Sequence, residues 1–95
     1  MARTYHCRYG EIDRIAKDDA TIVFVEVKTR TTPHFGLPSE AVDGRKQARM
    51  IQTAMHYLQA NGLEDAPCRF DVIEIVRQGT QKYIRHIPDA FDVTQ

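Results

Sequence analysis

The chain has 95 residues, 42% of them hydrophobic, with 13 basic and 13 acidic side chains and therefore no formal net charge. This length fits one small domain, and the composition is that of a soluble globular protein. Balanced charge gives no general reason to expect a polyanionic partner, although local basic patches remain compatible with it. No apolar run approaches the about 18 residues of a membrane span, and the N-terminus lacks the apolar segment of a signal peptide. We therefore expect a cytoplasmic protein.

Strand patterns fill the first third of the chain. Residues 3–8 fit a short strand, and residues 11–16 fit a second. Residues 21–28, Thr-Ile-Val-Phe-Val-Glu-Val-Lys, are rich in β-branched and aromatic side chains and predict the clearest strand. The charged run 17–20 supplies a turn. The last two strands are therefore expected to form a β-hairpin.

A loop at 29–38 precedes a long helix and two further strands. Apolar residues in 44–61 recur every three or four positions, which predicts an amphipathic helix with one buried face. That face is expected to contain Ala48, Ile51, Ala54, Met55 and Leu58. Residues 68–76 and 81–87 are predicted strands, and the tail after them is anchored by Phe91. The order of elements predicts an α/β (α+β) domain with a mixed sheet and a helix packed on it.

Charged side chains collect at one end of the predicted hairpin. Because strand side chains alternate between faces, one face is expected to be apolar near the turn and charged at the far end. Its members are Ile15, Ile22 and Phe24, followed by Glu11, Asp13, Glu26 and Lys28. The other face, with Ile12, Val23, Val25 and Val27, is expected to pack in the core.

Converging carboxylates require compensation, because burying them is costly unless cations or hydrogen bonds accompany them. Lys28 neutralises only part of this charge. Carboxylate oxygens suit Mg²⁺, which keeps several waters and binds phosphate oxygens. Such a metal activates water and stabilises charge on a phosphoryl centre, with Lys28 assisting. The alternative is a salt-bridge cluster at a solvated end of the sheet, and the spacing alone leaves both open.

Motifs along nearly the whole chain carry a family resemblance: Gly10-Glu11-Ile12-Asp13; Val23-Phe24-Val25-Glu26-Val27-Lys28-Thr29-Arg30; Glu40-Ala41-Val42; Arg45-Lys46-Gln47; Arg69-Phe70-Asp71-Val72; and His86-Ile87-Pro88-Asp89-Ala90-Phe91. On these motifs the chain resembles the YraN-like family of bacterial proteins. That family belongs to the restriction-endonuclease-like, or PD-(D/E)xK, superfamily and is similar to Holliday junction resolvases.

The resemblance implies a metal site and its catalytic residues. Asp13 and Glu26 match the two acidic ligands of Mg²⁺ or Mn²⁺, the backbone carbonyl of Val27 matches a further ligand, and Lys28 matches the catalytic lysine. Family members usually carry an additional Glu on a helix before the first strand. This chain begins almost at that strand, so Glu11 is the candidate substitute.

The resemblance also implies a fold and a ligand. It predicts one nuclease-like domain over residues 1–95, with a restriction-endonuclease-like core. That core would be a central mixed sheet of about five strands with one long helix packed on it, and the N-terminal helix would be missing. Nucleic acid is the expected ligand, namely DNA, including branched or structured DNA. A homodimer would cover the sheet face that the missing helix exposes.

Several other residues admit a functional or a structural interpretation. Arg45, Lys46 and Arg49 lie at the start of the predicted helix, where phosphates bind favourably, or they form a solvated face. For Arg30 the two alternatives are a contact with a phosphate and pairing with an acidic neighbour. Asp71 is expected to pair with Arg69 on its own face.

The cysteines and histidines give no sign of a zinc site. Cys7 and Cys68 are expected to be reduced thiols, and the spacing of the four histidines is unlike that of zinc ligands. Three functions remain under consideration: a metal-dependent DNA endonuclease, a nucleic-acid-binding module without turnover, and a protein-interaction adaptor.

Overall fold

The computed structural model describes residues 4–92, and the predicted limits of the domain and of the first strand, including Arg3, extend beyond them. The strands and helices follow the chain in this order: β1 Tyr5–Cys7, β2 Gly10–Ile12, β3 Arg14–Asp18, β4 Thr21–Arg30, a 3₁₀ turn Pro38–Ala41, α1 Gly44–Ala60, β5 Cys68–Gln78 and β6 Gln81–Phe91. The mixed α+β class expected from the sequence is confirmed. None of the described helices is long and apolar enough to span a membrane.

The described strands form two sheets, where about five strands in one sheet were expected. One sheet has four strands in the order β3-β4-β5-β6, and β1 pairs with β2 in a separate antiparallel ribbon. β4 and β5 are parallel, whereas the two outer pairs are antiparallel. The sheet is therefore mixed, as predicted, but it has four strands.

The predicted strand 11–16 is interrupted at Asp13, and this interruption separates the two sheets. Before it, Ile12 pairs with Tyr5 in the ribbon. After it, Arg14 pairs with Val25 in the main sheet. At Asp13 itself the carboxylate accepts a hydrogen bond from the Val27 backbone N–H at 2.8 Å. The Asp13 side chain thus satisfies the Val27 N–H of β4, which would otherwise need a backbone acceptor on a neighbouring strand.

The main core lies between α1 and the even-numbered positions of β4. Tyr57 of α1 meets Phe24 edge to face with ring centres 5.9 Å apart. Phe24 stacks on Phe70 at 5.5 Å, and Phe70 stacks on Phe91 at 4.7 Å. These contacts carry aromatic packing from the helix across three strands, with centroid distances in the favourable range. The predicted anchoring role of Phe91 is confirmed.

The prediction that Val23, Val25 and Val27 face this core is wrong. The main cluster contains Ile12, Ile15, Ile22 and Phe24, but the three valines lie on the opposite face of the sheet. Ile12 joins the core because the chain changes direction at Asp13. The valine face carries a groove of about 510 Å³, and Ile84 on its edge strand is 66% exposed.

α1 has the predicted limits but a different buried face. Asp43 caps its start, since Oδ1 accepts from the Lys46 backbone N–H at 2.9 Å. The buried positions are Gln47, Met50, Thr53, Ala54 and Leu58. The predicted members Ala48 and Met55 are exposed, because the helix is rotated so that the positions just before them face the sheet.

β6 continues to Phe91 past Pro88, where the sequence suggested a tail. Pairing between β5 and β6 is irregular between Phe70 and Val72, and Asp89 takes a positive φ of 51° there. β6 is the edge strand of the sheet. On its outer side, the missing N–H of Pro88 therefore leaves no neighbouring strand without a hydrogen-bond donor. The irregularity lets the strand turn its last residues into the core.

Candidate functional site

Asp13 and Glu26 meet at the point where β2 gives way to β3. The hydrogen bond from the Val27 N–H holds the half-buried Asp13 carboxylate against β4, one residue beyond Glu26. Glu26 is only 7% exposed. Burial raises the pKa of the Glu26 carboxyl, and a hydrogen bond and negative charge from Asp13 raise that pKa further. The two acidic residues predicted from the sequence are therefore neighbours.

Lys46 supplies the nearest positive charge. Its Nζ lies 3.5 Å from Glu26 Oε2, and this attraction opposes the rise in the pKa of Glu26. The sequence suggested Lys46 as a phosphate ligand, and in the structure it is paired with the buried carboxylate of Glu26. The first turn of α1 thus provides the charge that balances part of the Asp13–Glu26 pair.

Lys28 stands on the same face of β4, two residues beyond Glu26, as strand alternation predicted. Its side chain is half-buried. Asp43 lies near enough that the charge of Lys28 helps to lower the pKa of Asp43, although the backbone hydrogen bond from Lys46 lowers that pKa most. A carboxylate pair and two lysines therefore surround the first turn of α1.

Glu11 makes a different contact. It lies in the ribbon opposite His6, and its Oε2 is 3.4 Å from His6 Nδ1. Within residues 4–92 no three His, Cys, Asp or Glu side chains are grouped as metal ligands. The donor set at the site is thus the Asp13–Glu26 pair. Such a set fits Mg²⁺, which typically binds one or two carboxylates and keeps several waters.

Arg30 pairs with an acidic neighbour, which was one of its two predicted roles. Its Nε lies 2.6 Å from Glu74 Oε2, outside hydrogen-bond geometry, and its Nη2 donates to the Ala41 carbonyl at 2.9 Å. Arg85 Nη1 donates to Glu74 Oε1 at 3.0 Å, and the His34 N–H donates to the same carboxylate at 3.2 Å. This cluster ties the loop after β4 to the sheet.

Glu74 is the residue that sequence reasoning missed. It is fully buried and sits beside Lys28 in the register of β4 and β5. The sequence did indicate a buried ion pair at this position, because an acidic residue inside the apolar run Val-Ile-Glu-Ile-Val requires a cationic partner when buried. The partners come from distant positions and could not be identified from local sequence patterns.

Arg45 and Arg49 remain exposed on α1. Arg49 is close enough to Asp43 for its charge to help lower the pKa of that carboxyl, after the larger effects of the cap hydrogen bond and of Lys28. The Arg49 guanidinium therefore lies near the candidate site. Gln47, between them in sequence, is buried and donates to the Ser39 and Val42 carbonyls, which fixes the 3₁₀ turn against the helix.

Asp71 has the structural partner expected from the sequence, on the face opposite the site. Arg69 Nε donates to Oδ1 at 3.0 Å, His86 Nε2 lies 2.7 Å from Oδ2, and the Asp89 N–H donates to Oδ1 at 2.9 Å. Burial acts to raise the pKa of Asp71, but these hydrogen bonds outweigh it and leave the pKa lowered. The carboxylate is thus held as an anion.

Comparison with known proteins identifies the family. Residues 1–75 match the model of the uncharacterised protein family UPF0102. The chain belongs to the UPF0102 family. The YraN-like resemblance is thereby confirmed at the level of the family.

Relatives in distant bacteria match nearly the whole chain. A UPF0102 protein of Geobacter metallireducens is 47% identical over 93 residues, which cover 98% of this chain and 76% of that protein. One from Lachnoclostridium phytofermentans is 47% identical over 93 residues, covering 97% and 75%. One from Myxococcus xanthus is 43% identical over 90 residues, covering 95% and 71%. The chain therefore spans about three quarters of the length of these relatives.

Proposed function

We propose that this UPF0102 protein is a Mg²⁺- or Mn²⁺-dependent endonuclease-like enzyme that hydrolyses phosphodiester bonds in DNA, including branched or structured DNA, on a restriction-endonuclease-like core. The observation that carries the proposal is the Asp13–Glu26 pair. A buried Glu26 with a raised pKa, next to a second carboxylate and only partly balanced by Lys46, is a poor arrangement for stability alone.

The donors at this site suit a hard divalent cation. Asp13 and Glu26 would hold it, with the Val27 carbonyl as a further candidate ligand and Glu11 as the least supported one, given its contact with His6. When bound, such a cation lowers the pKa of a coordinated water and stabilises charge on a phosphoryl group. The hydrogen bond from the Val27 N–H keeps the Asp13 carboxylate oriented toward β4.

The lysines and arginines have separate roles in this proposal. Lys28 orients the attacking water or stabilises the charge that develops on the phosphate. Lys46 balances Glu26 in the absence of a metal and would contact substrate phosphate once that carboxylate has another partner. Arg45 and Arg49 attract the DNA backbone to the first turns of α1. Arg30 acts indirectly, by holding the neighbouring loop through Glu74 and Ala41.

A cleavage assay tests the proposal. End-labelled duplex, forked and four-way-junction DNA would be incubated with the protein and Mn²⁺, Mg²⁺ or EDTA. We expect metal-dependent cleavage that is lost in Asp13→Asn and Glu26→Gln and kept in Glu64→Gln, an exposed acidic control. Cleavage that survives both site substitutions would come from another enzyme and would refute the proposal. DNA binding without cleavage would instead support a module that lacks turnover.

The open sheet face supports protein interaction as a second candidate. Val27, Ile73, Ile75 and Ile84 line the apolar groove on the side opposite α1. A second copy of the chain could cover this face, and homodimerisation is the form of interaction that we favour. Sedimentation equilibrium of wild type and Ile84→Asp tests it. A monomer at every concentration of the wild type would exclude this candidate.

A further inference from the structure

A second groove lies between the β1–β2 ribbon and α1, away from the Asp13–Glu26 pair. It has a volume of about 270 Å³, and its lining includes Arg8, Tyr9, Ile51, Gln52, Met55 and His56. Ile51 and Met55 contribute apolar surface to its lining. Tyr9 and His56 add two aromatic rings, with centres 6.3 Å apart and planes at 67°. The groove thus combines apolar, aromatic and polar groups within one small space.

The groove carries a positive charge and a fixed ring. The Arg8 guanidinium lies 5.0 Å from the centre of the Tyr9 ring, and its Nη2 donates to the Tyr9 hydroxyl at 3.0 Å. His56 Nδ1 is 2.6 Å from the Tyr5 hydroxyl, so β1 fixes the imidazole against the helix. Arg8 beside the Tyr9 and His56 rings suits a ligand in which a flat, electron-rich ring lies next to a negatively charged group.

A stripe of polar side chains joins this groove to the candidate site. Arg45, Arg49, Gln52 and His56 follow one another at steps of four, three and four residues, so they lie along one side of α1. Arg49 is close to Asp43 at the first turn, and His56 is in the groove. The eleven helical steps from Arg45 to His56 span about 16 Å, which accommodates a few nucleotides of an extended strand.

We propose that single-stranded DNA binds along this stripe, with phosphates on Arg45 and Arg49 and one base in the groove beside Tyr9 and His56. The proposal rests on the proposed function, because it takes the strand to be the continuation of a DNA substrate at the Asp13–Glu26 site. It deepens that function by assigning a substrate class, DNA with a single-stranded extension of at least a few nucleotides.

The chemistry of the stripe favours this ligand over a peptide. Arginines at one end attract a polyanion, and aromatic rings at the other stack on bases of any sequence. Arg45, Arg49 and Arg8 bring positive charge, and the stripe contributes no carboxylate between Arg45 and His56. The protein as a whole is neutral, so any DNA affinity must come from such a local arrangement.

Fluorescence anisotropy with labelled oligothymidylate of twelve nucleotides tests the proposal. Tyr9→Leu removes the ring and is matched by Tyr83→Leu, which removes an exposed tyrosine on β6. We expect Tyr9→Leu to weaken binding roughly 5- to 150-fold, the range for loss of one base–aromatic stack. Tyr83→Leu should match the wild type, and Tyr9→Phe, which keeps the ring, should bind within about twofold of it.

Two further comparisons test the contribution of arginine charge and the length of the DNA ligand. Arg49→Ala should weaken binding and reduce the slope of log affinity against log salt by about one, as expected for a lost phosphate contact. Arg77→Ala, on the exposed end of β5, should not. Thymidine monophosphate should bind far more weakly than the oligonucleotide. Equal affinity of Tyr9→Leu and Tyr83→Leu, or of mononucleotide and oligonucleotide, would overturn the proposal.

The same proteins separate this inference from the proposed function. Metal-dependent cleavage that requires Asp13 and Glu26 but is accompanied by Tyr9-independent binding would refute only the inference. Tyr9-dependent binding that persists in Glu26→Gln, without cleavage of any DNA by the wild type, would uphold the inference and refute the proposed activity. Thermal unfolding of each variant, monitored by circular dichroism, establishes that the compared proteins are folded at the assay temperature.

Discussion

The Asp13 carboxylate accepts a hydrogen bond from the Val27 backbone N–H at 2.8 Å, so it is fastened to the strand that also carries Glu26 and Lys28. This bond falls where β3 stops pairing with β4 and where the chain crosses from the ribbon to the main sheet. The interruption of the strand and the position of the candidate site therefore have the same cause. A continuous strand over residues 11–16 would have placed a backbone partner there instead.

Glu26→Gln is expected to stabilise the protein at neutral and alkaline pH. Burial and Asp13 raise the pKa of Glu26 in the folded state, so folding disfavours the charged form of this carboxyl relative to the unfolded chain. Replacing it with a neutral amide removes the cost of the buried charge, and Lys46 is exposed enough to reach water. We expect Tm to rise by a few degrees at pH 8, since 1 kcal/mol shifts Tm by about 4–8 °C in a domain of this size.

The stabilising effect of Glu26→Gln should depend on pH. For a raised carboxyl pKa, the stabilising contribution is complete below the unfolded pKa of about 4.3 and is lost as the pH rises through the folded value. The Tm difference between Glu26→Gln and wild type should thus be small near pH 4 and grow toward pH 8. The exposed Glu64→Gln serves as control. A variant less stable than the wild type at pH 8 would show that Glu26 is a structural anion.

The sequence predicted the elements well and their packing less well. The helix 44–60 and the strands around Val25 and Val72 follow from local patterns, because periodicity and β-branched side chains act over short range. Strand alternation also placed Glu26 and Lys28 on one face. It could not show which face α1 covers, because an apolar face with Val23 and Val25 and one with Ile22 and Phe24 have similar hydrophobicity.

Lys28→Met should separate chemistry from metal binding. Lys28 is not one of the proposed ligands of the cation, so Mn²⁺ binding should persist in this variant. Removing one group that stabilises transition-state charge typically costs roughly 10²–10³ in rate, and we expect a loss of this size in DNA cleavage. Lys17→Met, on the exposed end of β3, is the matched control. Cleavage at the wild-type rate would exclude Lys28 from the reaction.

Glu74→Gln should destabilise the fold and loosen the loop after β4. The carboxylate is fully buried and lies between Arg30, Arg85 and the His34 N–H. Both arginines are partly exposed and can turn toward water, so we expect a loss of roughly 1–3 kcal/mol in the free energy of unfolding rather than the full cost of a buried unpaired charge. Urea unfolding measures it, and faster hydrogen exchange at residues 31–37 should accompany it. An unchanged midpoint would contradict the assigned role.

Asp71→Asn should destabilise the protein at neutral pH but not in acid. Burial opposes ionisation of Asp71, yet hydrogen bonds from Arg69, Asp89 and His86 lower its pKa overall. A lowered pKa contributes stability above the unfolded value of about 3.9, and that contribution is lost as the pH falls through the folded value. The gap between wild type and variant, roughly 1–3 kcal/mol at pH 7, should narrow toward pH 3. A gap independent of pH would indicate that shape rather than charge matters there.

The site itself was only partly accessible from the sequence. Strand alternation grouped Asp13, Glu26 and Lys28 on one face, and the family resemblance gave them their predicted roles. The pairing of Lys46 with Glu26 depends on where α1 docks, and the Glu74 cluster joins residues from β4, the loop, β5 and β6. Such contacts depend on tertiary packing, which local patterns do not encode. The contact of Glu11 with His6 was likewise not predictable, since it follows from the separate ribbon.

Isothermal titration with Mn²⁺ tests the central claim most directly, because it measures the site without requiring the natural DNA substrate. The wild type should bind Mn²⁺ and gain thermal stability with it, since a ligand at 100 times its Kd contributes about 2.7 kcal/mol. Both effects should vanish in Asp13→Asn and Glu26→Gln and persist in Glu64→Gln. Equal binding by wild type and Glu26→Gln, or no binding by wild type at millimolar Mn²⁺, would contradict a metal site at the Asp13–Glu26 pair.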